Sequence, residues 1–311
     1  LCLSLDSLVI YSLTAVACGR VKCCAFVLWA KSITALIAFW QTFREIRKSK
    51  PDVLVGFGGY VTFPAGVVAF LLCKAFFIHE QNSVAGLSNK VLSLLATKSF
   101  TAFPQVMQDA VWIGNPLRKE FLAFENPEVR YSERLGPLNI LIIGGSLGAS
   151  FLNELIPKSV ALMPLGKLPN IVHQSGAAQV ELVQKAYQDN KINASVTSFI
   201  QDVAVEYAKA DLVICRAGAS TVTEIAAVGV AALFVPLPMA VDDHQTKNAQ
   251  YLVDLGAAWL EPQKSLTQEK LAQILLTADR NKLLKMAVQS KKLHKSEAVG
   301  VICDACEESI A

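Results

Sequence analysis

The chain has 311 residues, 53% of them apolar and 18% charged, with a net charge of +3. That length suffices for two domains with separate cores, whereas the small charge argues against a nucleic-acid partner, and no stretch offers the roughly 20 clean apolar residues of a membrane-spanning helix. The 8 cysteines do not make a disulfide framework in a chain this large and suit a reducing compartment.

Residues 1–29 are apolar but broken by Asp6, Arg20 and Lys22, without a strong period. They could be read as a signal peptide, although the charged region that should come first is absent. From Ile33 onward, positions 36, 39, 40, 43 and 46 are apolar at helical spacing and run into Arg44, Arg47, Lys48 and Lys50. A helix with a basic end is expected, either an ordinary core helix or an amphipathic surface for anionic lipid, with Phe39 and Trp40 beside the charges. Residues 51–56 read as a strand, Gly58-Gly59-Tyr60 as a turn, and 64–72 as a helix with Pro64 in its first turn. The strand at 75–78 runs into His79-Glu80-Gln81-Asn82. In an open parallel sheet ligands bind outside the carboxyl ends of strands, so this polar cluster is a candidate for contacts. The bland alternatives are that His79 satisfies a backbone carbonyl and that Asn82 caps a helix starting near Gly86. Residues 98–102 read as a strand, 111–118 as chain leaving the sheet, and the charged, proline-containing run to Pro137 as an interdomain linker.

The second half opens on Leu138-Asn-Ile-Leu-Ile-Ile-Gly-Gly-Ser-Leu-Gly-Ala-Ser150. An apolar run ending in glycines before a helical pattern predicts a buried strand, a tight turn and a helix N-terminus facing that turn. Its unpaired N–H groups and dipole would hold an anion, with Ser146 adding a hydroxyl; a merely tight, well-packed turn is the alternative. Further strands are expected at 170–173, 194–197, 211–215 and 231–235, and helices at 177–187, 266–276, 281–290 and 297–310. After the strand at 211–215 comes Arg216-Ala-Gly-Ala-Ser-Thr-Val-Thr-Glu224, a second glycine-preceded helix start. Thr221 and Glu224 stand in the capping-box relation. Glu224 could instead take both hydroxyls of a ribose, because a carboxylate only accepts. Asp242-Asp243-His244-Gln245 forms a polar loop at the end of another strand, and Cys303-x-x-Cys306 sits in a terminal helix without a second ligand pair for zinc. Strands alternating with helices in both halves predict an α/β protein of two doubly wound, Rossmann-like domains with a cleft between them.

Seven motifs then carry a family resemblance: His79-Glu-Gln-Asn82 with Ala85-Gly86-Leu87 and Asn89-Lys90, Gly114-Asn-Pro-Leu-Arg118, Gly144-Gly-Ser-Leu-Gly-Ala149, His173-Gln-Ser-Gly176, Phe199-Ile200, Arg216 to Ile225, and His244-Gln245 with Asn248-Ala249. In order and spacing they resemble the MurG glycosyltransferases, from about Ile33 onward. The resemblance implies a GT-B fold and inverting transfer of N-acetylglucosamine from UDP-GlcNAc to the 4-hydroxyl of the muramoyl sugar of lipid I, giving lipid II for peptidoglycan. It implies peripheral attachment to the cytoplasmic face of the bacterial inner membrane, an anionic surface. The donor contacts it assigns are Asn82, Arg118, Ser146, Ile200, Ala219, Ser220, Thr221, Val222, Thr223, Glu224 and Gln245. Ser146 and its helix would hold the diphosphate, Ile200 the uracil, Glu224 the ribose and Gln245 the sugar hydroxyls. No cofactor and no metal are expected: the chain contains no Asp-x-Asp motif, so helix dipoles and Arg118 must carry the pyrophosphate charge.

The family opens with Gly-Gly-Thr-Gly-Gly-His, which supplies the histidine proposed as general base, and this sequence has no such motif. The chain, which begins at Leu1, is therefore expected to lack its start, including the first strand of the N-terminal sheet. The catalytic base is left unassigned, with His79 or Glu80 as substitutes to consider. The expected organisation is an incomplete acceptor and membrane-facing domain over 1–118, a linker over 119–137 and a UDP-sugar domain over 138–311. A catalytically inactive donor-binding fragment or membrane-bound scaffold is the alternative function.

Overall fold

The computed structural model describes residues 24–59, 61–145, 148–238 and 241–310, with residues 24–34 and Val241 described by their backbone alone. The segment considered for a signal peptide, up to residue 23, and Ser146 with Leu147 lie outside the described residues. The chain divides into two compact units, Leu1–Ile78 with Gly86–Lys98, and His79–Ala85 with Ser99–Ala311.

The first unit contains α1 (Cys24–Ser49), β1 (Val53–Gly56), α2 (Thr62–Leu71), β2 (Ala75–Glu80, as far as Ile78) and α3 (Leu87–Leu92). β1 and β2 pair in parallel from Val53↔Ala75 to Gly56↔Ile78. α2 lies so close to its neighbours that a Cβ on Gly66 would stand 2.6 Å from both Leu92 and Phe76. The apolar positions of α1 do not share one face. Phe39 meets Phe63 of α2 edge to face at 6.3 Å and Ile46 is buried. Leu36, Trp40 and Phe43 instead point outward, 69%, 61% and 37% exposed, on the stripe that continues to Arg47. Spacing alone could not separate the two stripes, because both recur at helical period.

β2 continues into His79 and Glu80, so these two residues lie within the strand and not beyond it. β3 (Lys98–Thr101) and β4 (Val111–Trp112) complete a four-stranded sheet of order β1-β2-β3-β4. The chain at 111–112 thus joins the sheet it was expected to leave, pairing Phe100↔Val111 and Thr101↔Trp112. The run at 119–137 is ordered: it holds a 3-10 turn (Lys119–Leu122) and α4 (Pro127–Ser132), anchored by the buried Phe121 and Tyr131.

The remainder of the second unit is β5 (Asn139–Ile143), α5 (Ser150–Ala161), β6 (Asn170–Gln174), α6 (Val180–Asp189), β7 (Ala194–Thr197), α7 (Val203–Lys209), β8 (Leu212–Cys215), α8 (Ala219–Val228), β9 (Ala231–Phe234), α9 (His244–Val253), β10 (Ala258–Leu260), α10 (Gln268–Thr277), α11 (Arg280–Lys292) and α12 (Ala298–Glu308). α7 and β10 were not read from the sequence. Six of these strands form a parallel sheet of order β10-β9-β8-β5-β6-β7. Both faces are covered: Ile140, Ile142, Leu212, Ile214 and Leu233 enter one core, and Leu141, Ile143, Val213, Cys215 and Phe234 the other. This two-sided burial explains the unbroken apolar strands.

At the amino end of the sheet, the fully buried Asp211 carboxylate accepts from Arg134 (2.8 Å), Arg280 (3.1 Å) and the Asn139 backbone N–H (2.8 Å). Arg130 and Arg134 also donate to the carbonyls of Ala208, Ala210, Val228 and Gly229. These bonds tie the ordered connection to the sheet. A cavity of about 510 Å³ opens beside them, lined by Arg130, Arg134, Asn139 and Asn170. Its guanidinium groups are already engaged by backbone oxygens, so it is a structural joint at the end of the sheet opposite the carboxyl termini.

Candidate functional site

β5 leads through α5 to β6 on one side of the sheet, whereas its neighbour β8 leads through α8 to β9 on the other. Strand order therefore reverses between β5 and β8, and the crevice outside such a reversal is where open α/β sheets bind ligands. The N-termini of α5 and α8 both follow directly from this pair. α5 has Ala149 as its N-cap and α8 has Gly218, and neither carries a side-chain cap. The N–H groups of their first turns, among them Ala219, Ser220 and Thr221, have no intrahelical acceptor and present donors and a positive dipole end to an anion.

The turn before α5 requires its glycines. Gly148 has φ +78° and a Cβ there would stand 1.9 Å from the Ser175 carbonyl oxygen, while one on Gly144 would stand 2.2 Å from the Ala149 nitrogen. Gly145 has φ +86°, and a Cβ there would meet nothing within 4 Å. The tightly packed turn that its sequence allowed is thus found at Gly144 and Gly148.

α8 starts at Ala219, which places Thr221 inside the helix and removes the capping box expected for Thr221 and Glu224. Glu224 instead accepts from the hydroxyl of the buried Tyr207 at 3.3 Å. Burial pushes its carboxyl up to about 7, against the smaller downward pulls of the Tyr207 hydroxyl and the Arg118 charge. Burial, followed by the charge of Glu224, raises the Tyr207 hydroxyl well above its ordinary range, so it stays protonated and donates. Arg118 lies over the Phe121 ring at 5.0 Å, and Phe121 packs on Tyr207 with ring centres 6.1 Å apart. One aromatic pair thus supports both the cation and the carboxylate. Thr223 donates to the Ala219 carbonyl and accepts from Asn115 at 2.9 Å. Val222 has its side chain in the core and its N–H on the Gly218 carbonyl.

Asn82 does not cap a helix, since α3 begins after Gly86. Its N–H is on Glu80 Oε1 at 3.0 Å and its Oδ1 accepts from Asn248, which also takes both donors of Ser83. Gln245 Oε1 accepts from the N–H groups of Ala217 (3.3 Å) and Leu237 (3.0 Å), which leaves its amide nitrogen for a ligand. Just before it, Asp242 and Asp243 both adopt φ +52°, a left-handed pair costing about 1 kcal/mol or more per residue that sets the direction in which α9 starts. The Ile200 N–H donates to Gln174 Oε1 at 3.1 Å. Ser146 lies outside the described residues. Asn115, Gln174 and Tyr207 were given no role from sequence; Asn115 and Gln174 sat in quoted motifs, but nothing around Tyr207 marked it.

His79 is 0% exposed and donates from Nε2 to the Gly114 carbonyl at 2.8 Å. Burial lowers its pKa, and Glu80, 4% exposed, accepts from the backbone N–H and the side chain of Asn82 through Oε1. Among the described residues no group of His, Cys, Asp and Glu has the arrangement of a metal site, and Cys303 and Cys306 are free thiols.

Residues 139–301 match the model of the glycosyltransferase family 28 C-terminal domain, and residues 14–101 that of the family 28 N-terminal domain. The chain is 54% identical over 273 residues to the UDP-N-acetylglucosamine–N-acetylmuramyl-(pentapeptide) pyrophosphoryl-undecaprenol N-acetylglucosamine transferase of Polaromonas naphthalenivorans (strain CJ2), covering 88% of this chain and 76% of that one. To the enzyme of the same name from Polaromonas sp. (strain JS666 / ATCC BAA-500) it is 52% identical, covering 88% and 70%. The crystal structure of Acinetobacter baumannii MurG superposes with a TM-score of 0.80 at 42% identity, over 87% of this chain and 77% of that one.

Proposed function

Because the chain belongs to the MurG family of glycosyltransferases, we infer that it moves N-acetylglucosamine from UDP-GlcNAc to lipid I and so makes lipid II for peptidoglycan synthesis. In the transfer the acceptor 4-hydroxyl attacks the anomeric carbon as UDP departs, and negative charge grows on the β-phosphate. Donors preorganised around that charge lower the barrier most effectively. The open N-termini of α5 and α8, with Arg118, suit that role without a metal. Glu224 takes the ribose hydroxyls, Ile200 and its backbone meet the uracil, and Gln245 and Asn82 lie on the sugar side. Ser146, at the glycine turn, adds its hydroxyl to the diphosphate, and residues 219–223 shape the helix end that receives it. Residues 138–311 thus act as the donor domain, joined through 119–137 to an acceptor and membrane-facing part over 1–118.

The protein works peripherally, on the anionic cytoplasmic face of the inner membrane. Supporting this are the outward apolar stripe of α1 with its basic end, and the exposure of Phe70, Leu71, Leu87 and Leu94 in the same unit. No helix of the described residues is long and apolar enough to cross a membrane.

The observation that carries the donor assignment is Glu224, a half-buried carboxylate held by Tyr207 on the second turn of an uncapped helix at the strand-order reversal. Glu224→Ala is expected to lose at least tenfold in UDP-GlcNAc affinity by calorimetry, and to raise the KM for transfer of labelled N-acetylglucosamine to a lipid I analogue. Unchanged affinity would remove Glu224 from the site.

A further inference from the structure

The motif His173-Gln-Ser-Gly176 has no part in the contacts assigned so far, yet it lies between the two loops that the donor must touch together. Gln174, the last residue of β6, is 4% exposed, and both ends of its amide are engaged. Nε2 donates to the Gly145 carbonyl in the glycine turn at 2.9 Å, and Oε1 accepts from the Ile200 N–H after β7 at 3.1 Å. The strand end beneath it is fixed. The Ser175 N–H donates to the Thr197 carbonyl at 3.0 Å, and its own carbonyl receives Asn153 Nδ2 at 2.9 Å. The Asn153 oxygen is in turn held by His173 Nε2 at 3.0 Å, and His173 Nδ1 by the Tyr187 hydroxyl at 2.9 Å. Burial lowers His173 to about 4, so this network keeps one protonation state across the working range.

We propose that Gln174 is a positioning residue for the nucleoside diphosphate: its single amide sets the spacing between the turn that receives the diphosphate and the backbone that meets the base. The proposal rests on the donor assignments made above. A ligand touching two loops binds tightly only if they are held at its own span, because the second contact is then made at high effective concentration. A side chain with a donor at one end and an acceptor at the other is suited to this, and asparagine, one methylene shorter, could not reach both loops.

Gln174→Met keeps the length and removes both bonds. It is expected to weaken UDP by about tenfold or more while weakening uridine and inorganic pyrophosphate, each meeting one loop, by about twofold or less. The KM for UDP-GlcNAc rises with kcat within about twofold, the pattern of lost uniform binding. Gln174→Glu gives a pH signature that general damage to the fold would not produce. As a carboxylate it repels the Gly145 carbonyl, but once protonated it restores the donor, so the ratio of variant to wild-type UDP-GlcNAc affinity recovers as pH falls. Equal losses for uridine and UDP in a folded Gln174→Met, or a pH-independent ratio in Gln174→Glu, would overturn the bridge. If wild-type protein fails to bind UDP, or Glu224→Ala binds it normally, the donor assignments fall and the bridge with them. Loss in Glu224→Ala beside full UDP affinity in Gln174→Met overturns the bridge alone.

Discussion

Donor affinity should titrate with Glu224. Its carboxyl is raised to about 7 by burial, so it changes charge in the range where the enzyme would be assayed. Ribose hydroxyls are donors, and the carboxylate accepts both; the protonated acid has become a donor itself and accepts less well. Affinity is therefore full above the folded pKa and lost as pH falls through it. With a pKa near 7, roughly nine-tenths of the sites are ionised at pH 8 and one-tenth at pH 6, so UDP-GlcNAc should bind about tenfold more weakly at pH 6. The sugar nucleotide is the right probe because its diphosphate is esterified at both ends and has no ionisation of its own in this window. Calorimetric titrations from pH 5.5 to 8.5 would read the slope. Glu224→Gln should bind about 10- to 100-fold more weakly at pH 8, the loss of a charge-assisted acceptor at ~1.5–3 kcal/mol, and should show no slope. Stability runs in the opposite direction. A carboxyl raised from 4.5 to about 7 stabilises the fold most below pH 4.5, and this contribution is lost as pH rises towards 7. A wild-type affinity flat between pH 6 and 8, or an equal slope in Glu224→Gln, would refute the assignment of the titration to this residue.

Three other perturbations separate the parts of the molecule. Asp211→Ala strands Arg134 and Arg280, only 11% and 21% exposed, beside an empty buried position; a loss of about 3–5 kcal/mol in urea unfolding is expected, and a change below about 1 kcal/mol would show that the network is dispensable. Gly148→Ala must displace the Ser175 carbonyl as well as strain the backbone, whereas Gly145→Ala meets nothing within 4 Å. Gly148→Ala should therefore destabilise by about 2–4 kcal/mol and abolish tight UDP binding, and Gly145→Ala by only about 1–2 kcal/mol; the reverse order would contradict the packing of the turn. Replacing Trp40 and Phe43 together by Ala should cut sedimentation with anionic vesicles at least tenfold. The remaining binding should fall further with salt because Arg44, Arg47 and Lys48 each contribute about 1 kcal/mol near an anionic surface; equal sedimentation of variant and wild type would place the membrane contact elsewhere.

The sequence alone determined what depends on neighbours along the chain. The strand-turn-helix units at 139–150 and 212–219 were legible because apolar runs, glycines and a resumed helical period lie within a dozen residues. The doubly wound α/β class followed from their repetition. Glu224 and Gln245 stood out as candidates because they follow strand ends, the side of an open parallel sheet on which ligands bind. Tertiary structure decided what depends on residues far apart in sequence. α1 carries two apolar stripes of the same period, and only packing against Phe63 shows that Phe39 is inside and Trp40 outside. β4 and β10, of 2 and 3 residues, are too short to show a period and are strands only because β3 and β9 supply their hydrogen bonds. The raised pKa of Glu224 arises from burial, beside a tyrosine 17 residues away, and the glycine turn and the chain after β7 are joined by a glutamine 29 and 26 residues distant from them. A local pattern can place a carboxylate at a strand end, but its charge and reach are set by the fold that closes around it.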